Sequence, residues 1–473
     1  MEIFNYYFEL PSEIPALNVT SLFFIVFVFV TSLLLFFNDK LIRNAVIFAT
    51  SCIFIWSFSK DCYFLFISLA FCVYGYISSL ILNKVKIRWL FWILAIEPII
   101  FLLGFKGIIG GGNGIIVPLG ISFYVLRLVW YLRQVYNNEL KFDLNPLYVF
   151  NYLIFFPCFS AGPIEKPDHF INQLKVKGNF SFSNIREGWF RFLYGVFEKI
   201  VICDFIGTVV DRILPVHEVV GITVFVGIIL YSFQIYLDFD SYSNIAIGVS
   251  KIFGLNVNEN FKTPYLSKNI KEFWSRWHIS LSTWLKENIY LPLGGNRKGN
   301  VRKIINICLV FIVSGLWHGS TFNFILWGLL HALIRILEDF LEQKLKKFIN
   351  IDFILFKPIR ILINFFLVTF LWVIFKYENL NDVLNIFGRL FSFSSGLFSN
   401  VEITHNEIMW LTILLIYVVL VDIIRYFVKI FTLFSKAIFP IRYVFYVVGI
   451  VIVLIFGVYG GSFNSADFIY RWF

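Results

Sequence analysis

Apolar runs close to the length that crosses a hydrocarbon core, roughly 20 residues, recur along this chain and restrict its fold more than any other feature. They occupy Leu22 to Phe37, Leu41 to Phe58, Tyr63 to Leu82, Trp89 to Phe105, Val219 to Leu237, Ile304 to Trp317, Phe322 to Leu337, Ile359 to Phe375, Ile408 to Ile424 and Val444 to Val458. Shorter or interrupted candidates lie at Val117 to Leu132, Phe150 to Phe159, Trp189 to Ile213 and Ile270 to Leu293. Lipid offers a backbone no hydrogen bonds, so such runs must satisfy their own N–H and C=O groups as helices. The expected fold is all-α: a polytopic integral membrane protein of about eleven membrane segments, with broken or re-entrant helices around a central cavity. A chain that is 59% hydrophobic and only 15% charged is excluded from the soluble globular class. No internal repeat or soluble module is visible, so residues 1–473 read as one membrane-embedded domain.

Charge sets the expected orientation. Glu2, Glu9 and Glu13 precede the first basic residue, Lys40, so no cleavable signal peptide is evident and the N-terminus is expected outside. Lys40 and Arg43, then Lys84, Lys86 and Arg88, mark cytoplasmic loops, while the loop between them offers only Lys60 beside Asp61. Lys344, Lys346, Lys347, Lys357 and Arg360 mark another, as do Arg425, Lys429, Lys436 and Arg442. Glu378 to Glu407, with Asp382 and Glu402, reads as external. The net charge of +10 then needs no nucleic acid; anionic lipid is its counter-surface. The cysteines, Cys52, Cys62, Cys72, Cys158, Cys203 and Cys308, form no CxxC pair and read as small buried hydrophobes. The histidines lack HxxxH or HExxH spacing, so no metal is implied.

Function is expected where helices break, because irregular backbone at membrane depth is tolerated only inside protein or around a wet cavity. Three such regions stand out: Phe105 to Val135, with Gly110, Gly111, Gly112, Gly114, Pro118 and Gly120; Phe156 to Glu187, with Pro157, Gly162, Pro163 and Pro167; and Gln234 to Gly319. In the third, Asp238 and Asp240 flank Phe239 ahead of Ser241, Tyr242, Ser243 and Asn244, either as groups facing protein or water, or as caps of a helix terminus at the interface. Lys271 to Lys286 reads as one amphipathic helix. Arg276, Ser280, Thr283 and Glu287 share its polar stripe, and His278 lies opposite, beside Trp274, Leu281 and Leu285. The turn from Leu291 to Gly299 carries Gly294, Gly295, Asn296, Arg297 and Lys298, and could either hold an anionic donor or serve as an ordinary membrane-edge turn. Trp277-His278 and Trp317-His318 place ionisable rings in apolar surroundings, as proton-transfer groups or as packed residues. Ser314 and Gly315 stand one turn before His318, and Gly319 follows, small neighbours that permit close approach. His331 reads as a packing or supporting residue.

The stretches Phe273 to Leu285, Tyr290 to Gly299 and Ser314 to Gly319 resemble the motifs of the membrane-bound O-acyltransferases, in their bacterial alginate O-acetyltransferase branch. Val117 to Tyr124, Ala161 to Ile164, Tyr236 to Phe239, Glu259 to Phe261, Pro264 to Ser267 and Ala466 to Tyr470 extend the likeness in the same order. Departures are Asp240-Ser241 where the family usually has Ser-Gly, Asn244 where it has Asp, and Arg127 where it has Gln. The resemblance implies that His318 is the base or relay, and that His278 orients the acyl group or stabilises the oxyanion. Trp277 and Trp317 would shape the cavity, and Asp238, Ser282, Ser314, Asn296, Arg297 and Lys298 would bind substrate. It also implies acetyl-CoA or another acyl thioester as donor, no bound cofactor, and a bacterial cytoplasmic membrane location. The implied acceptor is a cell-surface polysaccharide such as an alginate-like polymer or peptidoglycan. An extracytoplasmic acetyltransferase partner would finish the transfer, with Glu378 to Glu407 one docking surface. Other readings are D-alanyl transfer to teichoic acid, a lipid acyltransferase and, in a different class, a transporter or flippase.

Overall fold

In the computed structural model, residues 17–35, 39–58, 62–107, 117–178, 180–345, 356–393, 396–398 and 400–458 are described. Glu2, Glu9, Glu13, Lys60, Asp61, the glycines Gly110, Gly111, Gly112 and Gly114, Lys346, Lys347 and the Ala466 to Tyr470 motif lie outside them. The apolar runs become helices, and no strand occurs among the described residues. In chain order these are α1 (Leu22–Leu35), α2 (Lys40–Trp56), α3 (Tyr63–Lys84), α4 (Arg88–Phe105), α5 (Ile121–Tyr136), α6 (Pro146–Ile154) and α7 (Pro167–Leu174). Then α8 (Phe182–Phe197) passes through a π turn, Glu198–Cys203, into α9 (Asp204–Ile213), and α10 (Ile222–Ile252) follows. Next come the short α11 (Ile270–Arg276) and α12 (Ile279–Leu285), then α13 (Asn300–His318), α14 (Phe322–Leu345) and α15 (Phe356–Lys376). The last are α16 (Leu380–Leu390), α17 (His405–Phe427), α18 (Ile430–Lys436) and α19 (Phe439–Phe456).

Seven of the described helices are long and apolar enough to cross a bilayer: α3, α4, α10, α13, α15, α17 and α19. The apolar segments Leu22–Leu35 and Pro146–Cys158 are shorter. The protein is thus a multi-pass, all-helical membrane protein, in which several of the eleven expected segments take shorter forms.

At the centre stands α10, whose 31 residues exceed what a hydrocarbon core of roughly 30 Å requires. It packs against α8 through glycine. A Cβ on Gly188 would lie 2.7 Å from the Gly248 carbonyl oxygen, and one on Gly195 would lie 2.7 Å from that of Ser241. Small residues let two backbones touch where lipid supplies no hydrophobic drive. Asp238 and Asp240 lie in the middle of α10, fully buried, rather than capping a terminus, because cations from other helices meet them there.

Two rims of polar contacts mark the ends of the bundle. At the basic rim, the Lys86 ammonium donates to the Val135 carbonyl (2.8 Å) and Arg133 to Asn288 (3.1 Å). Lys166 pairs there with Glu287 (3.4 Å), Lys303 with Asp339 (2.7 Å), and Arg276 and Lys357 lie over the Tyr426 ring. At the opposite rim, Arg212 pairs with Glu407 (2.6 Å), Arg389 donates to the Val219 carbonyl (2.8 Å) and Asn323 to that of Tyr377 (2.6 Å). The break after α6 is closed by buried Arg127, which donates to the carbonyls of Leu153 (3.2 Å), Cys158 and Pro163 (3.4 Å).

Candidate active site

The continuous helix expected over Lys271 to Lys286 is broken at the Trp-His pair. Trp277 is extended (φ −98°, ψ 128°) and His278 is left-handed (φ 42°, ψ 55°), so α11 stops and α12 restarts in a new direction. A non-glycine residue held in such a conformation costs on the order of 1–3 kcal/mol, and a set of hydrogen bonds offsets it. His278 Nδ1 accepts from the Leu281 N–H (3.3 Å), capping α12. Asn260 does the rest. Its carbonyl accepts from Ile279 (2.9 Å), and its Oδ1 accepts from both the Ser280 N–H (3.2 Å) and the Ser280 hydroxyl (2.9 Å). Ser280 therefore turns inward and leaves the polar stripe assigned to it. Asn260→Ala should lower stability by about 1–3 kcal/mol through the buried donors it strands. An unchanged thermal midpoint in detergent would contradict this.

His318 is the last residue of α13. Nineteen residues at about 1.5 Å each make that helix about 28 Å long, so the ring sits far from the basic rim where α13 begins. Helices α13 and α14 meet closely at Gly315, where any Cβ would collide with the Phe324 carbonyl. The His318 ring is buried among Trp317 (4.8 Å between centroids), Phe375 (5.0 Å) and Trp327 (5.4 Å). The His278 ring reaches the same Trp317 from the other side at 5.9 Å, edge to face, and Phe123 at 6.5 Å. Trp317 is itself fixed by its indole N–H, which donates to the Ser122 carbonyl (3.2 Å). The structure thus gathers His278, His318 and Trp317, residues from two distant motifs, around one indole. Ser314, one turn before His318, is buried and its hydroxyl has no hydrogen-bond partner.

Trp277 packs next to this group, 4.8 Å from Trp372 and 5.1 Å from Phe261. Ser282 is spent on the break, its hydroxyl donating to the Trp277 carbonyl (3.3 Å). Asp238 is held in an ion pair with Lys199 (2.7 Å). Asn296, Arg297 and Lys298 are exposed in the turn that precedes α13, at the end of that helix away from His318. His331 is a packing residue, stacked on Phe311 and accepting the Trp274 indole N–H at Nδ1 (3.3 Å). Among the described residues no group of three or more His, Cys, Asp or Glu could hold a metal ion.

Sequence reasoning missed Lys106. Its ammonium donates to the Trp317 carbonyl and approaches that of His318 (3.4 Å), while lying 5.7 Å from the Trp317 ring. A cation at a helix C-terminus meets carbonyls that lack intrahelical partners. One signal existed: Lys106 is the only charged residue between Glu97 and Arg127.

A cavity of about 610 Å³ opens at the basic rim, lined by Arg191, Lys251, Glu259, Lys262, Arg276 and Arg425 among others. Burial would raise the Glu259 carboxyl, but Arg191 beside it outweighs this, with Arg425 and Lys262, and holds it down at about 2. A depressed carboxylate stabilises the fold above its unfolded value, near 4.5, and loses that contribution as pH falls towards about 2. Glu259→Gln should therefore flatten the acid limb of the stability profile over that window; an unaltered limb would refute the pairing.

The chain is 36% identical over 283 residues to the probable alginate O-acetylase of Pseudomonas putida, a match that covers 59% of this chain and 56% of that protein. It is 34% identical over 299 residues to the peptidoglycan O-acetyltransferase of Helicobacter pylori, covering 58% and 56%. With the teichoic acid D-alanyltransferase of Bacillus subtilis it shares 30% identity over 254 residues, covering 50% and 62%. The chain spans little more than half the length of these curated relatives. The sequence profile described as MBOAT, membrane-bound O-acyltransferase family, matches residues 57–384, a segment that contains both histidines, their shared tryptophan and the basic turn. By that match, over well more than half its length, the chain belongs to the membrane-bound O-acyltransferase family.

Proposed function

We propose that this chain transfers an acyl group, acetyl in the first instance, from a thioester donor to a hydroxyl of a cell-surface polysaccharide. The observation that carries the reading is the convergence of His278 and His318 on Trp317. Acyl transfer to an alcohol needs a base for the hydroxyl proton and a partner for the carbonyl oxygen as it gains charge. His318 is assigned the first role and His278 the second. Lys106 holds the end of α13 that presents His318, Trp277 and Trp317 wall the site, and the free Ser314 hydroxyl is available to substrate.

The basic rim is assigned to the cytoplasm of a bacterial inner membrane by its charge, with the N-terminus outside. Asn296, Arg297 and Lys298 then meet the phosphates of a soluble donor such as acetyl-CoA. Because α13 separates that turn from His318, the acyl group travels from one leaflet towards the other. The acceptor waits on the far side, where an extracytoplasmic acetyltransferase would complete delivery against the segment from Glu378 to Glu407, which includes the amphipathic α16. The relatives' names favour O-acetylation of alginate or peptidoglycan over D-alanyl transfer by their higher identity.

Purified protein in lipid vesicles, given radiolabelled acetyl-CoA and an acceptor glycan, should consume thioester and label the glycan. A transporter or flippase would leave the thioester intact, and that result would remove the transferase reading.

A further inference from the structure

A second set of ionisable side chains runs from the basic-rim cavity into the middle of the bundle, apart from the two histidines. Arg191 and Arg425 line the cavity. Arg191 pairs with Glu259 and donates through Nε to Asn244 Oδ1 (3.0 Å); Asn244 in turn donates to Glu198 Oε2 (3.1 Å). Arg425 grips Asp240 with both terminal nitrogens and lies 3.7 Å from Asp422, which accepts the Tyr236 hydroxyl (2.9 Å). Adjoining Glu198 on the π turn, Lys199 stands between Asp204 (2.8 Å) and Asp238 (2.7 Å), all three buried. Asp240 and Asn244 both belong to this set.

The charges do not balance. Among the described residues, Lys199 is matched by Asp238, Arg425 by Asp240 and Arg191 by Glu259, which leaves Glu198, Asp204 and Asp422 without a cation of their own. Asp204 is the extreme case: its Oδ1 shares Lys199, while Oδ2 is buried with no hydrogen-bond partner. A bare carboxylate oxygen inside a membrane bundle is costly, and a proton removes the charge. π turns inside helices are frequent at functional positions. The other ionisable groups around the trio are Glu198, the Cys203 thiol (3.9 Å from Asp238) and Tyr231, which feels the charge of Asp238; Glu198 itself faces Tyr194 and Tyr417.

We propose that Lys199, Asp204 and Asp238 form a proton-binding site in the middle of the membrane, with the proton on Asp204 and with access from the cavity past Asn244 and Glu198. Lys199 and Asp238 remain an ion pair, so the protonated trio is neutral. The site does not depend on the transfer reading, but that reading gives it a use. When an acyl group passes from a thioester on one face to a hydroxyl on the other, the oxygen–hydrogen bond of the acceptor breaks and the departing thiolate gains a proton. A proton site between the faces lies between those two events.

Infrared difference spectra of the full chain in lipid nanodiscs, in H2O and D2O, test this without turnover. A protonated-carboxyl C=O band that shifts on deuteration is expected, and Asp204→Asn should remove one carboxyl's share of it while the chain still inserts, because the amide copies the neutral acid. Asp238→Asn, which strips Lys199 of its counter-charge, should lower the unfolding midpoint more than Asp204→Asn does. The proposal is overturned if the native chain shows no such band or if Asp204→Asn leaves its intensity unchanged. It is equally overturned if Asp204→Asn fails to insert, since the fold would then need the charge. Loss of acetyl transfer with the band intact would bear on the transferase reading alone.

Discussion

His318→Ala should cut acyl transfer by about 10²- to 10⁴-fold, the contribution a positioned general base makes, while the protein still inserts. The ring meets Trp317, Trp327 and Phe375 edge to face, and α13 is closed at that end by bonds to its backbone carbonyls. The Gly319 N–H donates to the Gly315 carbonyl and Lys106 meets the Trp317 and His318 carbonyls, and neither contact needs the imidazole. Truncation leaves a cavity among these rings while the backbone closure of α13 stays in place. Thioester consumption measured beside membrane insertion separates the two effects. Transfer within tenfold of the native rate would move the base elsewhere. His278→Ala is a less clean test, because its Nδ1 also caps α12; a lower insertion yield is expected alongside the lost activity.

Lys199→Met should destabilise the protein by about 3–5 kcal/mol, the usual cost of removing one partner from a buried ion pair. Asp238 would lose its cation and Asp204 its hydrogen-bond donor, at the place where α8, α9 and α10 are pinned together. Unfolding midpoints in a fixed detergent report the change. A loss below about 1 kcal/mol, the range of an exposed pair, would show that water reaches the trio and hydrates it. Adding Asp204→Asn to Lys199→Met should recover little of the loss, since Asp204 is already neutral in the proposed site.

Much of the helical layout was legible because lipid leaves the backbone few choices. The run Tyr63 to Leu82 became Tyr63–Lys84, and Ile408 to Ile424 became His405–Phe427. Motif order pointed to both histidines and to Trp317 before any geometry was known. What escaped depends on partners remote in sequence. The break at His278 was hidden because a periodic polar stripe from Arg276 to Glu287 satisfies a helix, and the left-handed residue is not glycine or asparagine. Asn260, 18 positions earlier than His278 in the chain, supplies the bonds that make the break affordable. The aspartates of α10 could be read as caps as readily as groups facing protein or water, because Arg425, 185 residues away from Asp240, leaves no local trace. Asn296 to Lys298 shared a motif with the site but lies at the other end of α13, a separation that adjacency along a sequence cannot convey.

The glycine seam between α8 and α10 has a bearing on gating. Where carbonyls sit against α-carbons, sliding one rod past the other by a fraction of a turn would drive side chains into main chain, so this pair behaves as a fixed mast. Admission of a bulky thioester or a sugar polymer then falls to the elements arranged around it. Among these, α19 has no fully buried residue and meets the bundle through partly buried Ile452 and Val453 and the Tyr446 hydroxyl, so it is the element set most openly towards lipid.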